Sequence, residues 1–80
     1  MRDVSIQESV IALFSTMTDE EVHLDSELVD DLGISSMDVM FVISSLEEEF
    51  HVKISENEIR RMYTVGDVVD TIVSLTDQTQ

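Results

Sequence analysis

Apolar residues fall into four periodic runs separated by polar breaks. In the first, Ile6, Val10, Leu13, Phe14 and Met17 form one helical stripe. Val4 to Met17 is therefore predicted as a helix, with Asp3 or Ser5 capping it and Gln7, Glu8, Ser15 and Thr16 on its polar face. Thr18 to Ser35 has no such period. It is acidic (Asp19, Glu20, Glu21, Asp25, Glu27, Asp30, Asp31), and Leu24, Leu28, Leu32 and Ile34 are spaced to drop into a core from one side. A loop this long in a small domain is expected to be functional or pinned, and Ser26 to Asp31 can close a short helical turn.

The second helix is predicted from Ser36 to Phe50. Val39, Val42, Ile43, Leu46 and Phe50 make its inward face, while Met37, Phe41, Ser44 and Glu48 form an opposite stripe with Met40 at its edge. Val52 and Ile54 alternate as anchors in the connector that follows. Ser55-Glu56-Asn57-Glu58 has the form of a capping box, which predicts a short third helix to about Met62. Thr64 and Asp67 open a last helix, Val65 to Leu75, with Val65, Val68, Val69, Ile72, Val73 and Leu75 inward. Its β-branched residues are weak helix formers, so it depends on tertiary packing. Thr76 to Gln80 is polar and expected to fray. The sum is one all-α domain over residues 1–80, a four-helix bundle of three long helices and one short, with a long loop between the first two.

Charge narrows the partners. Four basic residues stand against 18 acidic ones, a net −14. Nucleic acid is excluded as a partner, because binding it takes clustered cations, and anionic membrane surfaces are disfavoured for the same reason. Basic protein surfaces are favoured, although an acidic surface also serves simply to keep a small protein soluble. With no cysteine there is no disulfide and no thiolate metal site, so packing alone holds the fold. No apolar run is long enough to span a bilayer, and Met1-Arg2-Asp3 lacks a signal-peptide core. A cytoplasmic monomer is the expectation.

The chemistry centres on Asp30-Asp31-Leu32-Gly33-Ile34-Ser35-Ser36-Met37-Asp38. Gly33 breaks the chain, Ser35 suits the N-cap, and Asp38 puts favourable charge in the first turn. Ser36 then stands where unpaired N–H groups and the positive end of the helix dipole favour a phosphate. Taken by itself, a serine in this position is a solvated hydroxyl far more often than a modification site.

The segment resembles the attachment site of acyl carrier proteins, where an Asp-Ser-Leu motif carries 4′-phosphopantetheine on the serine. Here the motif is Ser35-Ser36-Met37, and the similarity extends to Ser26-Glu27-Leu28-Val29-Asp30-Asp31-Leu32-Gly33, Leu46-Glu47-Glu48-Glu49-Phe50 and Thr64-Val65-Gly66-Asp67-Val68-Val69. The resemblance implies an acyl-carrier-like bundle in which a phosphopantetheinyl transferase, using Mg²⁺, moves the arm from coenzyme A onto Ser36. The arm's thiol would carry acyl groups as thioesters for fatty acid or polyketide-type biosynthesis, and the protein itself would supply no catalytic group. Met37, Asp38, Met40, Phe41, Glu47 and Glu48 become the docking candidates for acyl-loading, elongating or transferring enzymes with basic or partly apolar surfaces. Val39, Val42, Ile43, Leu46, Phe50, Ile54, Met62, Val68 and Ile72 become the candidates for an acyl-chain pocket.

The chain departs from the family pattern at Ser35, where an Asp that assists docking is usual, and at Phe41, where an acid is frequent. These departures suggest a specialised carrier with dedicated enzymes, and the start at Met1 and the short tail suggest a free-standing one. Five methionines suit adaptable packing around a chain, although Met17 and Met62 are first of all core fillers. The alternatives are an aminoacyl or peptidyl carrier, or an acidic helical adaptor without the arm. No calcium-loop spacing occurs; Asp30, Asp31 and Asp38 suit only loose cation association, and His23 and His51 are expected on the surface rather than as metal ligands.

Overall fold

A computed structural model describes residues 2–78, with side chains for residues 5–76. It has four helices and, among the described residues, no strand: α1 (Arg2–Ser15), α2 (Ser36–Phe50), α3 (Glu56–Arg60) and α4 (Val65–Gln78). α1 packs chiefly on α4, and α2 closes over both. Ile6, Val10 and Phe14 of α1 meet Val42, Ile43 and Leu46 of α2 and Val65, Val68, Val69 and Ile72 of α4 in one buried core. Leu13, Met17, Val39 and Phe50 are only half-buried at its margin.

The helix ends differ from the spacing-based expectation for local reasons. α1 stops at Ser15 rather than Met17, because the chain tightens there: the N–H groups of Thr16 and Met17 donate to the carbonyls three residues back, and the Thr16 hydroxyl also donates to Leu13 O at 2.7 Å. At the other end α1 already includes Arg2, so Ser5 lies inside the helix rather than at its start, and the side chain of Asp3 is outside the described ones. α3 likewise stops at Arg60 instead of Met62, where Arg61 and Met62 donate three residues back, to Glu58 and Ile59. α4 continues beyond the expected end at Leu75 to Gln78, and the Thr76 hydroxyl donates to Val73 O at 2.9 Å. Thr79 and Gln80 lie outside the described residues.

Each cap follows from its residues. Ser35 and Ser55 begin α2 and α3 in extended conformation with side chains that accept from the N–H three residues on. Glu58 completes the capping box by accepting from the N–H of Ser55 at 3.0 Å. α2 ends at His51 in the left-handed region (φ 57°), with its N–H donating to Glu47 O.

The loop between α1 and α2 is tied down by backbone. Leu28 N–H donates to Tyr63 O (2.9 Å), Val65 N–H to Ser26 O (3.0 Å) and Gly66 N–H to Leu24 O (2.7 Å). Two of the otherwise unpaired N–H groups of α4's first turn are thus satisfied by loop carbonyls. Gly66 permits this close approach, since a Cβ would stand 3.0 Å from Leu24 O and would press on the loop carbonyl. Leu28, Leu32 and Ile34 are buried as their spacing suggests, but Leu24 is not: its side chain is 40% exposed and its carbonyl does the pinning. Ser26, the one buried polar residue among those described, accepts from His23 N–H with its hydroxyl.

Asp67 locks the other side of this junction. One of its carboxylate oxygens accepts from the N–H groups of Tyr63 (2.9 Å) and Thr64 (3.1 Å), while the Thr64 hydroxyl accepts from Asp67 N–H (3.2 Å). The Tyr63 N–H chiefly, with Thr64 in support and partial burial opposing, holds the Asp67 carboxyl below the usual range. Its ionised form therefore stabilises the fold above the ordinary Asp pKa of about 3.9, and that contribution is lost as pH falls through the depressed value. Asp67→Asn is expected to lower stability by about 1 kcal/mol at neutral pH. Urea unfolding at stepped pH should show the gap between wild type and variant closing once the medium is acidic enough to protonate Asp67.

Candidate functional site at the start of α2

Gly33 adopts φ +66°, a left-handed conformation that turns the chain out of the loop. Ile34 then buries its side chain and donates its N–H to Leu28 O at 2.9 Å, which fixes the chain one residue before the cap. Ser35 Oγ accepts from Asp38 N–H (3.3 Å) and Ser35 O accepts from Val39 N–H (3.0 Å). Serine at this position therefore keeps the capping function that an aspartate would perform.

Ser36 is the first residue of α2 and is exposed, and its hydroxyl has no hydrogen-bond partner among the described residues. The N–H groups of Ser36 and Met37 are also unpaired there. A phosphodiester on Ser36 would meet free donors and the positive end of the helix.

Beside Ser36 lies a cavity of about 240 Å³. Buried Leu28 and Met62, with half-buried Val39 and Ile59, form its interior. Val29, Met40 and Tyr63 line it from exposed positions, and Ser36, Glu27 and Asp30 add polar atoms. The hydrogen-bonded, like-charged Asp30 carboxyl, aided by Asp31, pushes the Glu27 carboxyl above its ordinary range.

Only Val39 and Met62 of the sequence-predicted pocket residues line this cavity. Val42, Ile43, Leu46, Ile54, Val68 and Ile72 are sealed in the core and Phe50 packs at its margin. Val29, Ile59 and Tyr63 also line the cavity, which the apolar spacing does not predict. Their signal was negative: Val29 interrupts the leucine spacing, and the chain's single tyrosine sits beside a core methionine with no place in the helical stripes.

The outer stripe of α2 stands clear of the bundle. Met37 is 83%, Phe41 59% and Met40 47% exposed, so Phe41 does not fold back onto the core. Asp38 and Glu48 are exposed too. Glu47 is different: it is half-buried, and its carboxylate accepts from the N–H of Ile54 at 2.7 Å, bracing the connector after α2. His23 and His51 are both exposed, and among the described residues no group of three or more His, Asp or Glu is placed to hold a metal. No described helix is long and apolar enough to cross a membrane.

The structure is thus a small helical bundle with an accessible serine at a helix start beside an apolar cavity. Residues 8–72 match the family described as the phosphopantetheine attachment site. An acyl carrier protein of Clostridium perfringens is 35% identical over 69 residues, 86% of this chain and 91% of that protein. One from Clostridium acetobutylicum is 38% identical over 58 residues, 72% of this chain and 75% of its own length. The structure of the acyl carrier protein from Enterococcus faecalis superposes with a TM-score of 0.82 at 33% identity, covering 94% of this chain and 99% of the other. That from Thermotoga maritima, at 22% identity and TM-score 0.84 over 100% and 96%, shares the fold. The chain belongs to the acyl carrier protein family. It is a carrier and not an enzyme, its prosthetic group is covalent 4′-phosphopantetheine, and it works with enzymes that attach the arm and handle the acyl group.

The two neighbouring glutamates should separate cleanly on substitution. Glu47→Ala is expected to cost about 1–2 kcal/mol through the lost bond to Ile54 N–H, and Glu48→Ala no more than about 0.5 kcal/mol. Chemical denaturation of both variants measures the difference.

Proposed function

We propose that Ser36 is the residue that bears the arm, as O-(pantetheine 4′-phosphoryl)serine, and that the chain carries saturated or lightly modified acyl groups of fatty acid or polyketide type. The observation that supports this most directly is the adjacency of an unbonded, exposed Ser36 hydroxyl to an apolar cavity. A hydroxyl engaged in a cap would have to be stripped of its bond before modification; here Ser35 does the capping and leaves Ser36 available.

The cavity, about 240 Å³, is large enough to admit part of an acyl chain. Its apolar interior favours an acyl over an aminoacyl cargo, whose ammonium group would be desolvated there without a partner. The exposed Met37, Met40 and Phe41 support docking on partners that are partly apolar, with Asp38 and Glu48 available to cations. We place this carrier in the cytoplasm as a monomer.

Intact-mass measurement after incubation with coenzyme A, Mg²⁺ and a phosphopantetheinyl transferase tests the attachment. Wild type and Ser35→Ala should gain the arm and Ser36→Ala should not; an arm on Ser36→Ala would move the site elsewhere. For docking, Phe41→Glu should fold normally and weaken transfer to the carrier's own acyl-handling enzymes by about tenfold, in line with loss of one apolar anchor. Unchanged transfer rates would remove Phe41 from the docking surface.

A further inference from the structure

Tyr63 is fixed by its backbone and free in its side chain. Its N–H donates to Asp67 Oδ2 at 2.9 Å, and its carbonyl accepts from Leu28 N–H at 2.9 Å. The residue is thus clamped between the first turn of α4 and the long loop. It is nevertheless 70% exposed, and its hydroxyl has no hydrogen-bond partner among the described residues. An exposed tyrosine elsewhere on the surface would call for no account. This one lines the cavity beside Ser36, where it leaves apolar ring surface that the fold does not bury.

Three exposed apolar side chains line that cavity, each from a different segment: Val29 from the loop, Met40 from α2 and Tyr63 from the chain between α3 and α4. Leu28 and Met62, which also line it, directly precede Val29 and Tyr63 and are buried. On both walls, then, a sealed residue is followed at once by an open one. Leu28 and Met62 form the inner part of the cavity, and Val29 and Tyr63 the outer part. Of the three open residues Tyr63 offers the broadest apolar face, and Met40 the most adaptable one. Because main-chain bonds hold Tyr63 in place, turning its ring takes only side-chain torsions and leaves the junction intact.

We infer, resting on the carrier reading above, that Tyr63 is a cargo-binding residue: its ring, together with Met40 and Val29, closes on an acyl chain in the cavity and holds it there. The ring then buries apolar surface only when cargo is present, so the contact favours the loaded state over the empty one. It also discriminates by chain. An extended apolar chain covers the ring, whereas an acetyl group offers it almost no surface. Retention of the longer chain keeps its thioester from nucleophiles in solution.

The chain has one tyrosine and no tryptophan, so its intrinsic fluorescence arises from Tyr63 alone. A phosphopantetheinyl transferase attaches the bare arm, the acetyl-bearing arm or the octanoyl-bearing arm from coenzyme A or its thioester, and intact mass shows the loading. Acrylamide quenching of Tyr63 should fall roughly twofold with the octanoyl group relative to the bare arm, and stay unchanged with the acetyl group. Hydroxylamine should cleave the octanoyl thioester about threefold faster on Tyr63→Ala than on wild type, with Tyr63→Phe close to wild type and the acetyl thioester equal on all three. Circular dichroism and thermal melting check that the variants fold; if Tyr63→Ala does not, quenching on wild type decides. Quenching that ignores the octanoyl group, equal cleavage on wild type and Tyr63→Ala, or a Tyr63→Phe protein as labile as Tyr63→Ala overturns the inference. A protein that never acquires the arm counts against Ser36 alone. The octanoyl thioester of free pantetheine, titrated into the unmodified protein, then puts the same question to Tyr63: reduced quenching upholds its role and unaltered quenching overturns it.

Discussion

Everything near Ser36 depends on the backbone ties between the long loop and the chain that leads into α4. Three N–H groups, from Leu28, Val65 and Gly66, find carbonyls across that junction. Unmade, they would leave donors in partly buried surroundings, a cost of about 1–3 kcal/mol each. Made, they hold Leu28 and Val29 opposite Met62 and Tyr63, which is what gives the cavity two walls. They also set where the loop ends, so that Gly33 and Ile34 deliver Ser35 to its cap and Ser36 to the surface. The bundle core supplies stability, but this junction supplies the site.

The same junction shows what could be seen in the sequence and what could not. The apolar stripes of α1, α2 and α4 were legible because burial and helical period act on the same side chains, as at Phe14, Leu46 and Ile72. The capping chemistry of Ser35 and Ser55 was legible because it is local. Leu24 was misjudged because spacing describes side chains, and it is the Leu24 carbonyl that matters. Helix ends were displaced by a residue or more wherever the last turn tightened, a change driven by hydrogen-bond geometry that apolar spacing does not encode.

Glu47 and the pocket residues expose a second limit. Glu47 belongs to an acidic run that has the composition of a solvated surface, yet its partner is an N–H seven residues away, in the connector. Helical period cannot see such a contact. Val42, Ile43 and Leu46 are pocket candidates on the expectation that the bundle opens between its helices, and in the structure they are buried in the core rather than on the wall of the cavity beside Ser36. The distinguishing residues are the ones that fit no stripe, Val29 and Tyr63, whose side chains are large and left in the open.

α3 is five residues long and has no buried residue. It nevertheless provides one wall of the cavity through Ile59, with Met62 just beyond. Outward displacement of this segment would therefore disturb little of the hydrophobic interior, whereas the opposite wall is built on Leu28 and cannot shift without unpicking the loop. In the proposed carrier role, bulky cargo would press first on this segment rather than on the wall built on Leu28.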